Sequence, residues 1–296
     1  NRRTGAQGMT AEQVLRAAIL KQSEGFSYEE LSFHLVDSQT YRNFCRIGIA
    51  QKGFKKSAIC KNIKAISSQT WERIKNLTVD YGKEKKIEKG KAARIDCTVV
   101  CSNIHDPKDS VLLWDSIRVI TRILKKINEQ FDDVKVSFTD HSKRAKRRMM
   151  GITYANNEKE RYLPYLDLLK VTQKTINYAQ NAVSVLDSSS FKDPLQGLKA
   201  MVMSNHLKEV LALSHNVVDQ TKRRVIHGEK VPANEKIFSI FEPHTDIIVK
   251  DRRDTYYGHK ICLTGGRSNL ITDCLIVEGN PADSTLTTEM LDRHEQ

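Results

Sequence analysis

The chain of 296 residues lacks the features that stabilise a small protein covalently or anchor a protein in a membrane. Its six cysteines include no Cys-x-x-Cys pair, so neither a zinc ribbon nor a disulfide framework is indicated. No run of 18 apolar residues is present, and we expect no membrane-spanning helix. The first residues, Asn-Arg-Arg-Thr-Gly, contain no apolar segment typical of a secretory signal. We therefore expect a cytoplasmic protein with buried, reduced thiols.

Acidic residues are too few to balance the basic ones. The sequence has 48 Lys and Arg against 36 Asp and Glu, which gives a formal net charge of +12. A surplus of this size favours polyanions as partners, nucleic acid first and an anionic membrane surface second. A basic protein without such a partner remains an alternative at this point.

The first 80 residues predict a group of short helices. Thr10 with Gln13, and Ser27 with Glu30, have the spacing of capping boxes, which mark helix starts. Short helices with basic flanks are typical of a helix-turn-helix DNA reader, and equally of a small helical bundle that binds protein. The polar, charged run of residues 83–91 predicts the first domain boundary.

The rest of the sequence alternates between strand and helix patterns. The β-branched run of residues 92–101 predicts a strand, whereas residues 110–228 show apolar stripes at helical spacing. Two later runs, 256–263 and 269–277, predict a hairpin with a glycine turn. Because the early strand needs partners, we expect an α+β fold in which one sheet is interrupted by a helical insertion. The predicted divisions are 1–85, 86–109, 110–229 and 230–296.

Asp96 is the first candidate for chemistry, because it lies inside the predicted strand of residues 92–101. Aspartate is disfavoured in strands. If the strand is central, its carboxylate must be paired or bind a metal, and a rigidly held carboxylate suits Mg²⁺. The alternative is an edge strand with Asp96 facing water.

A second set of polar side chains lies near residue 244. Glu242, His244 and Asp246 alternate, so on one strand they would share a face and could bind a metal. Pro243 favours a solvent-facing edge instead. Asp273, inside the last predicted strand, is interpreted as structural.

Clusters of basic residues are the candidates for DNA contact. Residues 141–148 hold five cationic side chains, which would contact phosphates without reading bases. Shorter basic clusters occur at residues 222–224, 250–253 and 259–260, and a solvated surface is the alternative for each. The residues predicted to contact DNA are Lys143, Arg144, Lys146, Arg147, Arg148, Arg223, Arg224, Arg252, Arg253, His259 and Lys260.

Several of these segments, in this order, resemble transposases of the ISNCY group of insertion sequences in bacteria. The likeness covers essentially the whole chain, and each motif is modest by itself. The segments that carry it are residues 27–31, 94–100, 103–115, 241–246, 257–260 and 279–285.

The resemblance implies a helix-turn-helix-like N-terminal domain and a ribonuclease-H-like catalytic core. In such enzymes three carboxylates hold two Mg²⁺ or Mn²⁺ ions that drive DNA cleavage and strand transfer. Asp96 matches the first carboxylate. The other two are expected beyond Gln296, so we expect an incomplete core, a C-terminally truncated enzyme and little or no strand transfer by this chain alone.

The partners implied by the resemblance are transposon terminal inverted repeats and further copies of the chain on DNA, with a nucleoid-associated location and no membrane. Two alternatives stay open. One is a non-enzymatic, DNA-binding remnant of a transposase. The other is a metal-dependent hydrolase that uses Glu242, His244 and Asp246.

Overall fold

The computed structural model describes residues 8–131, 134–250 and 254–295. The fold is α+β, mostly helical, with one antiparallel sheet of four strands. The chain divides into two compact units, formed by the described parts of Asn1–Ala92 with Gly266–Thr272, and of Ala93–Gly265 with Asp273–Gln296. No helix in the described ranges has the length and apolar character needed to cross a bilayer.

Short helices make up most of the first unit. They are α1 (Ala11–Glu24), α2 (Tyr28–Asp37), α3 (Gln39–Phe44), α4 (Lys56–Lys64) and α5 (Ser68–Glu84). Both predicted capping boxes are confirmed, at Thr10 and Ser27, and Gly25 ends α1 with a positive φ of 70°. Apolar residues of α1, α2 and α4, together with Cys45 and Ile47, form the core of this unit.

Arg42 holds the loop after α3 in place. Its side chain is buried and donates hydrogen bonds to the carbonyl oxygens of Leu35 at 3.1 Å, Gly48 at 2.6 Å and Gln51 at 2.7 Å. A buried guanidinium is tolerated because its donors are satisfied by backbone acceptors. The predicted basic flank therefore contains one arginine with a structural role.

Glu88, which follows α5, connects this part of the first unit to the turn at residues 266–272, which belongs to the same unit. Its carboxylate accepts hydrogen bonds from the hydroxyl and backbone N–H of Ser268 and from the backbone N–H groups of Gly90 and Lys89. These bonds lower the pKa of Glu88 to about 2. A Cβ at Gly266 would lie 2.0 Å from a Glu88 oxygen, so a larger residue there would displace the Glu88 carboxylate.

Four long helices form a bundle in the second unit. They are α6 (Asp109–Gln130), α7 (Ser142–Tyr154), α8 (Glu158–Ser188) and α9 (Pro194–Thr221). The apolar stripe predicted for α6 is confirmed, because Leu113, Ile117, Ile120 and Leu124 are fully buried. Helix α9 continues into a π-helical turn, Lys222–Ile226.

The sheet of the second unit combines strands from both sides of this bundle, as predicted. Its strands are β1 (Arg94–Cys101), β2 (Asp246–Lys250), β3 (Asp254–Gly265) and β4 (Ile271–Val277). Strand β3 pairs with all three others, and it is antiparallel to β1 and β2. Helix α10 (Asp283–Glu295) packs against β1 and β3. The small core beneath α10 consists of Cys97, Cys262, Val277, Leu286 and Met290.

Candidate nucleic-acid interface and carboxylate site

Asp96 lies on the outward side of β1. Cys97, the next residue, is buried against α10, and alternation along the strand turns Asp96 to the opposite face, where it is exposed. Within the described chain β1 pairs only with β3, where Leu263 lies opposite Asp96, and the Asp96 carboxylate has no hydrogen-bond or ion-pair partner. The structure thus presents Asp96 as an exposed carboxylate on a strand at the end of the sheet.

The second candidate metal site, Glu242, His244 and Asp246, is not arranged as the sequence predicts. Strand β2 begins at Asp246, and Glu242 and His244 precede it in a turn. The prediction that all three alternate along one strand is therefore wrong. His244 Nε2 lies 3.3 Å from Glu242 Oε2, whereas Asp246 Oδ2 accepts a 3.0 Å hydrogen bond from the backbone N–H of Gly279. In residues 8–131, 134–250 and 254–295, no three His, Cys, Asp or Glu side chains are grouped so as to hold a metal ion.

His259 and Lys260 were predicted to contact DNA, and the structure separates them. The His259 ring stacks on that of His244, with the ring centroids 5.0 Å apart. Lys260 points inward and is only 6% exposed. Its ammonium donates to the Pro281 carbonyl at 2.5 Å and forms an ion pair with Asp283. The predicted phosphate contact at Lys260 is therefore wrong, because its charge is buried and already neutralised.

The basic segment of residues 141–148 forms the first half of α7, and its charges fall into two groups. Arg144 and Arg148 face α8, where both bind Asp167, with Nε–oxygen distances of 3.1 and 2.6 Å. The hydrogen bond from Arg144, followed by that from Arg148, lowers the pKa of Asp167. These two arginines therefore fasten α7 to α8.

The remaining cations of α7 form its outward face. Lys143, Lys146 and Arg147 are exposed, at the i, i+3, i+4 spacing that places side chains on one side of a helix. None of the three forms an ion pair with a described residue. Their charges are free to meet an anionic partner.

Arg223 and Arg224, in the π-helical turn, make ion pairs within the unit. Arg223 binds Glu229 at 3.0 Å and Glu235 at 2.7 Å, and Arg224 binds the buried Asp109 at 2.9 Å. Burial raises the pKa of Asp109, while the Arg224 charge opposes that rise. Arg223 thus connects the π-helical turn to the loop that follows it, and Arg224 connects the same turn to Asp109 at the start of α6. The predicted contacts Arg252 and Arg253 lie outside the described residues.

Asp273 has the structural role predicted for it. It is 6% exposed and accepts two hydrogen bonds from Arg293 of α10, at 2.6 and 3.2 Å. A two-point contact of this kind fixes the orientation of both side chains. Asp273 therefore links β4 to α10.

Sequence reasoning missed a group of lysines that the bundle brings together. Lys170 and Lys174 of α8 and Lys222 at the end of α9 line one cleft with Gln173 and Asn177. The four α8 residues have the i, i+3, i+4, i+7 spacing of a helix face, a detectable signal. Lys222 lies 48 residues after Lys174, and only the packing of α8 against α9 brings it to the same cleft.

The geometry therefore divides the predicted cations into a neutralised group and a free group. Arg144, Arg148, Arg223, Arg224 and Lys260 are held in ion pairs, whereas Lys143, Lys146 and Arg147 are exposed. Comparison of the chain with protein-family models, curated proteins and solved structures finds no match.

Proposed function

We propose that this chain binds duplex DNA as an insertion-sequence transposase does, with terminal inverted repeats as its natural target. The observation that carries the proposal is the outward face of α7, where Lys143, Lys146 and Arg147 are exposed and have no acidic partner among the described residues. The net charge of +12 is consistent with a polyanionic partner.

The separation of free from paired cations has a thermodynamic consequence. A lysine or arginine that contacts a phosphate releases condensed counterions, and this release drives binding. An arginine already paired with a carboxylate must first give up that partner, which offsets the gain. Lys143, Lys146 and Arg147 therefore contribute more to DNA affinity than Arg144 and Arg148 do.

The first unit supports a helix-turn-helix-like role. Helix α4 packs on α1 and α2 through Ile59, which is fully buried. Its opposite side presents Lys61 and Lys64 to solvent, and its sequence contains no acidic residue. A short, supported helix with an exposed basic side is the element that such proteins place in the major groove.

The sheet is proposed to be part of a ribonuclease-H-like core. In support, β1, β3 and β4 form neighbouring strands of one sheet, and the helix that follows, α10, packs on β1 and β3. Asp96 projects from β1 on the side away from the buried Cys97. Although β1 is an edge strand among the described residues, the Asp96 carboxylate is exposed and has no partner there, so it is available as the first of three metal-binding carboxylates.

The metal chemistry implied by the resemblance needs more ligands than are grouped here. Two metal ions about 4 Å apart share several carboxylates. Asp96 supplies one carboxylate, and no group of three metal-ligand side chains occurs in the described part of the chain. The described residues therefore do not fit a two-metal site, and no cleavage step is derived through one.

The proposal is tested by the salt dependence of DNA binding. The variant Lys143→Gln/Lys146→Gln/Arg147→Gln is compared with the wild type on a mixed-sequence duplex between 50 and 200 mM salt, roughly the range over which phosphate contacts are resolved. Each lost phosphate contact lowers the slope of log affinity against log salt by about 0.9, so we expect a decrease of about 2.7.

The control is Lys126→Gln/Lys192→Gln/Lys199→Gln, which removes the same charge from exposed lysines elsewhere in the second unit. We expect this control to change the slope by less than half as much. Equal effects of the two variants, or no binding of the wild type to duplex DNA at the lowest salt, would overturn the proposal.

A further inference from the structure

A cleft on the side of the helical bundle has no role in the site described above. It lies where α8 passes the end of α9, and its volume is about 340 Å³. Its lining residues are Leu169, Lys170, Gln173, Lys174, Asn177 and Lys222. No carboxylate is among them.

The three lysines of this cleft resemble Lys143 and Lys146 of α7 in having no acidic partner among the described residues. The bundle's arginines at positions 144, 148, 223 and 224 are ion-paired. The ammonium groups of Lys170, Lys174 and Lys222 form no hydrogen bond or ion pair with a described residue. All three lysines are exposed, so their charges remain available to an anion.

The shape of the cleft strengthens its attraction for anions. A concave surface lined by charges of one sign focuses the electrostatic field and raises the local concentration of counter-ions. Gln173 lies between the two α8 lysines and Asn177 follows them, and both add amide groups to the cleft. Gln173 Nε2 donates a 3.2 Å hydrogen bond to Asn177 Oδ1. Lysine and amide side chains are among the common ligands of phosphate oxygens in DNA complexes.

We propose that the α8–α9 cleft binds the phosphodiester backbone of the same duplex that contacts α7. The inference rests on the proposed DNA-binding function and adds a second contact surface to it. The occupant is DNA because the polar side chains that line the cleft end in ammonium or amide groups, with no carboxylate among them. A second cationic surface, on α7, also lies close to it.

His141 shows where the two surfaces meet. It directly precedes α7, and its ring stacks on Tyr178 of α8 with the ring centroids 6.1 Å apart. Burial lowers the pKa of His141, and the charges of Lys174 and Arg144 lower it further. Lys174 of the cleft is therefore close to the start of α7, so one polyanion can contact both surfaces.

The test uses the full chain and the variant Lys170→Gln/Lys174→Gln/Lys222→Gln on the same mixed-sequence duplex. Loss of three phosphate contacts is expected to lower the salt slope by about 2.7. The charge-preserving variant Lys170→Arg/Lys174→Arg/Lys222→Arg is expected to keep the wild-type slope. Circular dichroism melting of each variant shows whether the bundle remains folded, as expected for exposed side chains.

The outcomes separate this inference from the proposed function. If the α7 variant lowers the slope and the cleft variant behaves like the Lys126, Lys192 and Lys199 control, the cleft inference fails and the proposed function stands. If the wild type does not bind duplex DNA, both fail. Binding of the cleft to anionic lipid vesicles without duplex binding would also overturn the inference, because the occupant would then be a membrane surface.

Discussion

The helical bundle and the sheet of the second unit differ in how they are stabilised. Helices α6–α9 enclose a large continuous core, whereas the core that α10 shares with the sheet contains five buried apolar side chains in the described part of the chain. Yet Asp96, the candidate catalytic residue, lies on the sheet, and the free cations lie on the bundle. The difference indicates that the bundle has the larger packed core, whereas the sheet holds the Asp96 carboxylate beside a small one.

The largest effect on stability is expected from a substitution that creates a cavity in the core of the bundle. Leu124 of α6 is fully buried, so Leu124→Ala should lower the free energy of unfolding by about 2–5 kcal/mol. Urea unfolding followed by helical circular dichroism measures this. Leu163→Ala, at a position 71% exposed on α8, is the matched control and should change stability little. Similar losses of unfolding free energy in both variants would contradict the conclusion that the buried interior of the bundle stabilises it.

A second cavity tests the sheet by itself. Met290 of α10 is fully buried with Cys97, and Met290→Ala should cost about 2–3 kcal/mol locally. Hydrogen exchange should become faster in β1 and β3 while the amides of α6 and α8 stay protected. Leu291→Ala, at the neighbouring exposed position, is the control. Equal loss of protection in the bundle would show that sheet and bundle unfold as one.

The smallest change sharpens the distinction between paired and free cations. Asp167→Asn removes the shared partner of Arg144 and Arg148, which are 46% and 38% exposed. Because solvent screens these pairs, we expect a stability loss of only about 1 kcal/mol. DNA affinity should rise, since two arginines are released. Glu158→Gln on the same helix is the charge-matched control, because Glu158 is exposed and forms no ion pair with a described residue. Weaker DNA binding by Asp167→Asn than by this control would contradict the division into paired and free cations.

Part of the fold was predictable because its causes are local. The capping boxes at Thr10 and Ser27, the apolar stripe of α6 and the strand around Asp96 each follow from residues a few positions apart. The start of β2 was not predictable in this way, because the alternation of Glu242, His244 and Asp246 also fits a turn followed by a strand. The ribonuclease-H-like and helix-turn-helix assignments stay predictions.

The sequence alone determined the excess of positive charge and the helices that carry it. It did not determine which charges are free, because the acidic partners come from distant positions. Asp167 lies 23 residues after Arg144, and Asp109 lies 115 residues before Arg224. Ion pairs and clefts depend on distances in space. Only the packing of α6–α9 therefore separated the cations that hold the bundle together from those that stay exposed without an acidic partner among the described residues.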